Sequence, residues 1–260
     1  MADTPIRLVI FDWAGTTVDY GSFAPVAAFM QAFSANGITL TPDETRGPMG
    51  LHKRDHIRAL FGLDSVSRQW RTAHGRDWSE ADVEAIYTAF MPIQIQKAAE
   101  LADLIPGVRE CCTELQARGI LIGTSTGYPR SVAEPVITAA AEQGYRPNAS
   151  VCADEVPQAR PAPWMIFRNM EQLGVFPPSS VLKVGDTVPD IEAGRNAGVR
   201  TVGITQTGSE VGLTEEEFSA LDASAAQQRI EKAEAVFRNA GADHILRSVA
   251  DLPALIDTLS

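Results

Sequence analysis

Three aspartates and an arginine stand where they could act on an anionic substrate. Asp12 follows the apolar run Arg7–Phe11 and opens the turn Asp12-Trp13-Ala14-Gly15-Thr16-Thr17. Asp186 and Asp190 sit in Gly185-Asp186-Thr187-Val188-Pro189-Asp190, directly after the run Val181–Val184. Paired carboxylates at that spacing behind a buried strand suit a hard cation held by oxygen ligands. Thr124-Ser125-Thr126-Gly127-Tyr128 follows Ile120–Gly123. Its hydroxyls and backbone amides can take phosphate oxygens, as a helix N-terminus does. Beyond Ser150–Ala153, Arg160-Pro161 supplies a fixed cation near a helix start. Singly, these are a capping carboxylate, a Ser/Thr/Gly loop and a surface arginine. Together, each lies beyond a candidate strand, where open parallel sheets form their sites.

The elements that must position them alternate. Short Val/Ile/Leu-rich runs at Arg7–Phe11, Ile120–Gly123, Ser150–Ala153, Val181–Val184, Thr201–Ile204 and, weakly, His244–Leu246 read as parallel strands buried on both faces. Helical patterns at Gly107–Arg118, Arg130–Glu142, Trp164–Leu173, Pro189–Asn196, Glu215–Asn239 and Leu252–Thr258 separate or follow them. The expected fold is α/β, a doubly wound (Rossmann-like) parallel sheet. One stretch breaks the rhythm: Ala24–Ala35, His52–Phe61, Val66–His74 and Glu80–Ala99 all show helical periodicity with no strand between them. It reads as an α-helical insertion over 21–104 after the first strand, with the core built from 1–20 and 105–260. The hinges fall at Gly21 and around Leu104–Gly107.

The bulk properties narrow the function classes. A chain of 260 residues with 45% hydrophobic content can fill a large core. A net charge of −11 argues against nucleic acid or an anionic membrane as the main partner. Three cysteines without C-x-x-C spacing give no zinc site. No apolar run reaches membrane-spanning length and the N-terminus lacks a signal pattern, so a cytoplasmic protein is expected.

In this order, the four strand-end motifs resemble those of the haloacid dehalogenase-like superfamily, along the whole chain, and the insertion over 21–104 resembles its inserted α-helical cap domain. That resemblance implies that Asp12 takes up a phosphoryl group as an aspartyl-phosphate. It further implies Mg2+ held by Asp12, the Ala14 carbonyl, Asp186 and, directly or through water, Asp190. Thr126 and Arg160 would bind the phosphoryl oxygens, offsetting the repulsion between two anions.

Ala14 is the anomaly. Many phosphoryl-transfer enzymes read D-x-D at this turn, the second aspartate protonating an alkoxide leaving group. With alanine the protein could bind without catalysis, could act where no such acid is needed, or could draw the acid from elsewhere. Lys53 points to the second. It falls in the first turn of a cap helix, where a cation opposes the helix dipole. His52, Arg54, His56 and Arg58 add positive or potentially positive charge around it. These features lower a lysine pKa, burial would lower it further, and a neutral amine attacks carbonyls. If the substrate is an aldehyde next to a phosphonate carbon, an iminium on Lys53 accepts the electrons of the breaking P–C bond, and position 14 needs no proton.

Lys53, His56, Met49-Gly50-Leu51, Thr126-Gly127-Tyr128 and Asp12-Trp13-Ala14 then together resemble the phosphonoacetaldehyde hydrolase family. The resemblance implies the Schiff base on Lys53, Mg2+, a small phosphonate substrate from 2-aminoethylphosphonate degradation, and a homodimer joined through cap helices. His56 would shuttle protons for Lys53. Tyr128 would close over the substrate or orient His56, and Met49 and Gly50 would approach the substrate. The alternatives are a sugar-phosphate phosphatase or phosphomutase, which Ala14 disfavours, a metal-free dehalogenase, which Asp186 and Asp190 disfavour, and a catalytically silent binding relative.

Overall fold

The computed structural model describes residues 5–259. Six parallel strands form one sheet: β1 (Leu8–Phe11), β2 (Leu121–Thr126), β3 (Ala149–Cys152), β4 (Val181–Gly185), β5 (Arg200–Ile204) and β6 (His244–Leu246). The order is β3-β2-β1-β4-β5-β6, so the winding reverses between β1 and β4. The crevice at such a switch point is where open α/β sheets bind ligands. Asp12 and Asp186 leave the carboxyl ends of these two neighbours. The expected doubly wound sheet is the fold observed, with the strands that flank the switch point buried along their length.

Between β1 and Leu104 the described chain forms five helices: α1 (Phe23–Ser34), α2 (Pro42–Arg46), α3 (Lys53–Phe61), α4 (Asp64–His74) and α5 (Glu80–Glu100). The short α2 has no counterpart in the periodicity, since five residues present no repeating face. Its own chemistry starts it: Pro42 follows the N-cap Thr41, whose side chain exchanges bonds with Glu44 in a capping box. These helices enclose a separate apolar cluster. At its centre Phe61 meets Phe33 at 5.2 Å, Trp70 at 5.0 Å and Trp78 at 5.2 Å between ring centroids. Phe61→Ala should therefore cost about 3–5 kcal/mol, read as a lower urea midpoint. A loss under about 1 kcal/mol would show that the cluster refills the space.

The two crossings between sheet and helical insertion lie side by side. Val18 bridges Leu104 in antiparallel fashion, and the Ile105 amide donates to Thr17 O at 3.0 Å. Helix α5 joins the two cores, with Phe90 in the insertion's cluster and Ala98 in the cluster under the sheet. The remaining helices are α6 (Val108–Ala117), α7 (Arg130–Glu142), α8 (Trp164–Leu173), α9 (Val188–Ala197), α10 (Glu215–Ser219), α11 (Ala223–Ala240) and α12 (Leu252–Thr258). One expectation fails here: Glu215–Asn239 is two helices. The chain turns at Ala220–Asp222, where the Asp222 carboxylate accepts from the Ala225 amide and caps α11.

Candidate active site

The cap loop before α3 closes over the strand ends. A cavity of about 30 Å³ lies between them. From the core it is lined by Asp12, Ala14, Thr126, Gly127, Tyr128 and Arg160. Met49, Gly50 and Lys53 face it from the cap. Ser22, Pro25, Leu51 and Thr187 complete the wall; Leu51 and Thr187 belong to the sequence motifs above, whereas Ser22 and Pro25 were not singled out. Asp186 and Asp190 lie beneath, fully buried. Oxygens of Asp12, Asp186 and Asp190 come within 4.8 Å of one another.

Gly50 shows how closely cap and core approach. Its φ of +89° lies in the left-handed region, and a Cβ there would fall 2.7 Å from Thr187 Oγ1 and 3.0 Å from Pro189 Cγ. Gly50→Ala should lower kcat/KM by about 10- to 100-fold through strain of about 1–3 kcal/mol at the closed interface. Steady-state kinetics checks this; an unchanged kcat/KM would mean that closure tolerates the added methyl group.

Arg160 forks onto Asp12, with Nη2 donating to Oδ1 at 3.2 Å and Nη1 lying 3.1 Å from Oδ2. Its Nη1 also pairs with Asp190 Oδ1. The same Asp190 oxygen lies 2.6 Å from Lys183 Nζ, and Thr187 Oγ1 donates to Oδ2. Both Asp190 oxygens are thus engaged by donors of this chain. Burial pushes the Asp190 carboxyl up, but Arg160 and Lys183 outweigh it and leave it below the ordinary range. Burial raises Asp186, and the Asp12 and Asp190 charges raise it further. Burial also raises Asp12, against the pull of Arg160. An acidic cluster whose own members push two carboxyls upward is chemically suited to a hard divalent cation.

Lys53 is the first residue of α3 and 5% exposed. Its Nζ lies 5.5 Å from the Tyr128 ring centroid and 5.4 Å from that of Phe29. Burial pulls its pKa down to about 7, Arg160 adds to the fall and Asp12 opposes it. The expected fall is present, but its causes rank differently. Arg54 and Arg58 turn outward, to Glu84 and to Glu80 and Asp55, so their charge is spent at the surface. Burial, expected only to add to those charges, is the largest cause, and an arginine from the core adds to it.

His56 does not line the cavity. It is fully buried, stacked on Phe29 at 3.9 Å, and its Nε2 is 2.9 Å from Thr45 O. A carbonyl partner makes Nε2 the protonated nitrogen, so Nδ1, which has no partner, carries the lone pair. Burial holds the ring well below its usual pKa, and the Lys53 charge holds it lower still. Tyr128 is kept as a phenol, its pKa raised first by burial and then by Asp19, Asp12 and Asp186. Thr126 Oγ1 accepts from the Tyr128 amide at 3.1 Å, which fixes the turn after β2. Lys183 was not singled out in the sequence. A charged residue inside the run Val-Leu-Lys-Val-Gly is the signal that points to it, since a fully buried lysine needs an acidic partner.

Comparison with known proteins places the chain's family and fold. A haloacid dehalogenase-like hydrolase model matches residues 6–198, and a second model of the same kind matches 158–252. A phosphonoacetaldehyde hydrolase of Syntrophobacter fumaroxidans is 44% identical over 98% of this chain and 92% of its own length. One from Hahella chejuensis is 46% identical over 97% of this chain and 86% of its own. The crystal structure of a phosphonoacetaldehyde hydrolase-like protein from Oleispira antarctica matches with a TM-score of 0.97 at 41% identity, covering 99% of this chain and 93% of that one. With identity above two-fifths along nearly its full length, this chain belongs to the phosphonoacetaldehyde hydrolase family of haloacid dehalogenase-like hydrolases.

Proposed function

We propose that this protein hydrolyses the carbon–phosphorus bond of phosphonoacetaldehyde, giving acetaldehyde and phosphate, through an imine on Lys53 and an aspartyl-phosphate on Asp12. The observation that carries the reading is a buried lysine with a pKa near 7 sharing one small cavity with Asp12 and Ala14. The family membership supports the overall reaction, and the shared cavity supports the roles given to Lys53 and Asp12.

Nδ1 of His56, which carries the free lone pair, takes the proton of the Lys53 ammonium, and the freed amine adds to the aldehyde carbon. One N–H proton passes to the oxygen, and the proton held on His56 returns so that the hydroxyl leaves as water and the iminium remains. Asp12 attacks phosphorus, the P–C bond breaks, and its electron pair enters the iminium to leave a neutral enamine. No alkoxide forms, so no acid is required where Ala14 stands. Water then cleaves the aspartyl-phosphate. Protonation of the enamine carbon and hydrolysis of the resulting imine release acetaldehyde and restore Lys53. Thr126 and the amides after β2 would hold phosphoryl oxygens, and Arg160 would turn from Asp12 toward them. Asp12, the Ala14 carbonyl and Asp186 would hold Mg2+, with Asp190 anchoring Arg160 from behind. The cation, when bound, offsets the charge of nucleophile and phosphonate.

The cap that lines the cavity would open to admit substrate and close over it to exclude solvent. Among the described residues no helix is long and apolar enough to cross a membrane.

The test is borohydride reduction during turnover of phosphonoacetaldehyde, followed by peptide mass analysis. A reduced adduct on the Lys53 peptide is expected. No adduct, with phosphate released from ordinary esters instead, would replace this reading with a phosphatase.

A further inference from the structure

A fifth loop reaches the site, and it belongs to none of the four strand-end motifs. It follows β5, and its Thr205, Thr207 and Ser209 are all buried. Asp186 Oδ2 accepts from both the Ser209 amide and Ser209 Oγ, each at 2.8 Å. Asp186 Oδ1 accepts only a longer bond of 3.2 Å from Thr16 Oγ1. Glycines hold the carboxylate from two sides: a Cβ on Gly208 would fall 2.5 Å from Asp186 Cβ, and one on Gly15 2.3 Å from Oδ2. Thr207 Oγ1 donates to Gly15 O at 2.9 Å, next to Ala14 in the turn after β1. The Thr207 carbonyl accepts from the Gly21 amide at 2.8 Å. One loop therefore grips a metal-side carboxylate and the turn that carries the Ala14 carbonyl.

We propose that Ser209, supported by Thr207, is a positioning residue for Asp186, fixing Oδ2 with two donors so that Oδ1 is ready for a divalent cation. The inference rests on the proposed reading of the aspartate cluster as a Mg2+ site. A carboxylate already locked loses no rotamer freedom when the cation arrives, so the effect falls on metal affinity. Sequence gives no hint of it, because Ser209 and Asp186 are 23 residues apart on different strand ends.

Calorimetric titration of MgCl2 into metal-stripped full-length protein, without substrate, separates the two layers of the argument. Ser209→Ala should weaken the Mg2+ Kd by about 10- to 100-fold, and Ser209→Thr should restore it to within a few-fold. Asp186→Asn should abolish binding. Wild-type affinity in Ser209→Ala, with Asp186→Asn inactive in binding, would overturn the role of Ser209 alone. Wild-type affinity in Asp186→Asn would overturn the metal reading itself. Circular dichroism in EDTA reports the fold; should Ser209→Ala not fold, Ser209→Cys keeps the shape with a weak donor. It is expected to lose affinity likewise, and wild-type affinity there would equally overturn the proposal.

Discussion

Replacing Lys53 by Met should lower turnover of phosphonoacetaldehyde by about 10⁴-fold or more while leaving a protein that is more stable than the parent below pH 7. The two effects share a cause. A methionine fills the space of the lysine stem but forms no imine, so the P–C bond has no electron sink. The lysine, for its part, is held at a pKa of about 7 against an ordinary 10.5, mainly by burial. Below pH 7 both folded and unfolded chains carry the ammonium, and the folded one bears the full cost of burying it. That cost is on the order of 5 kcal/mol for a shift of this size. Between pH 7 and 10.5 the unfolded chain binds the extra proton, so wild-type stability from this group rises with pH. The advantage of Lys53→Met should therefore be largest below pH 7 and shrink toward pH 10.5, measured by paired urea titrations. The charged and titratable groups around Lys53 are Arg160, Asp12, His56 and Tyr128. In the wild type, kcat/KM should rise with pH through about 7 as the amine loses its proton. Near-normal turnover in Lys53→Met would remove the imine from the mechanism. A stability difference independent of pH would place the lysine in water rather than in the cavity.

Asp12→Asn should separate the two halves of the reaction. The amide keeps the shape and one acceptor, and Arg160 keeps its pair with Asp190. Phosphate release should fall by about 10⁴-fold or more, since an amide is a poor nucleophile for phosphorus. The imine should still form, because Lys53 does not depend on the carboxylate as a reactant. Borohydride would then trap the full phosphonate on Lys53, carrying phosphorus, where the wild type yields the two-carbon product adduct. Phosphate release at a wild-type rate would show that another group attacks phosphorus. Loss of the trapped adduct would show that Asp12 is needed to seat the aldehyde. Its charge also supports the lysine's proton, so in Asp12→Asn the Lys53 pKa should move lower still.

Much of the architecture is written locally in the chain. Helices α7, α8 and α12 begin and end where periodicity and flanking residues put them. The strands follow runs of branched apolar residues, which bury on both faces of a sheet whatever the neighbouring strand is. Asp12, Ala14, Thr126, Arg160 and Asp186 were found because each stands beyond such a run, and sites gather where strands end. Local signals were misread where several residues decide one turn: Thr41 with Glu44 begins α2, and Asp222 breaks α10 from α11. What only the tertiary structure decided is the state of the groups. Lys53 stands out in the sequence for the charges next to it, but two of them, Arg54 and Arg58, face away and are paired. Its depressed pKa comes from lost water and from Arg160, more than a hundred residues distant. His56, expected to shuttle protons for Lys53, is buried outside the cavity, stacked on Phe29 with Nε2 against Thr45 O. Lys183, Thr207 and Ser209 reach the site only through the folding of distant strands. Periodicity reports which face of an element is dry. Which partner removes the last water from a charge depends on atoms that only the closed cap and the wound sheet bring together.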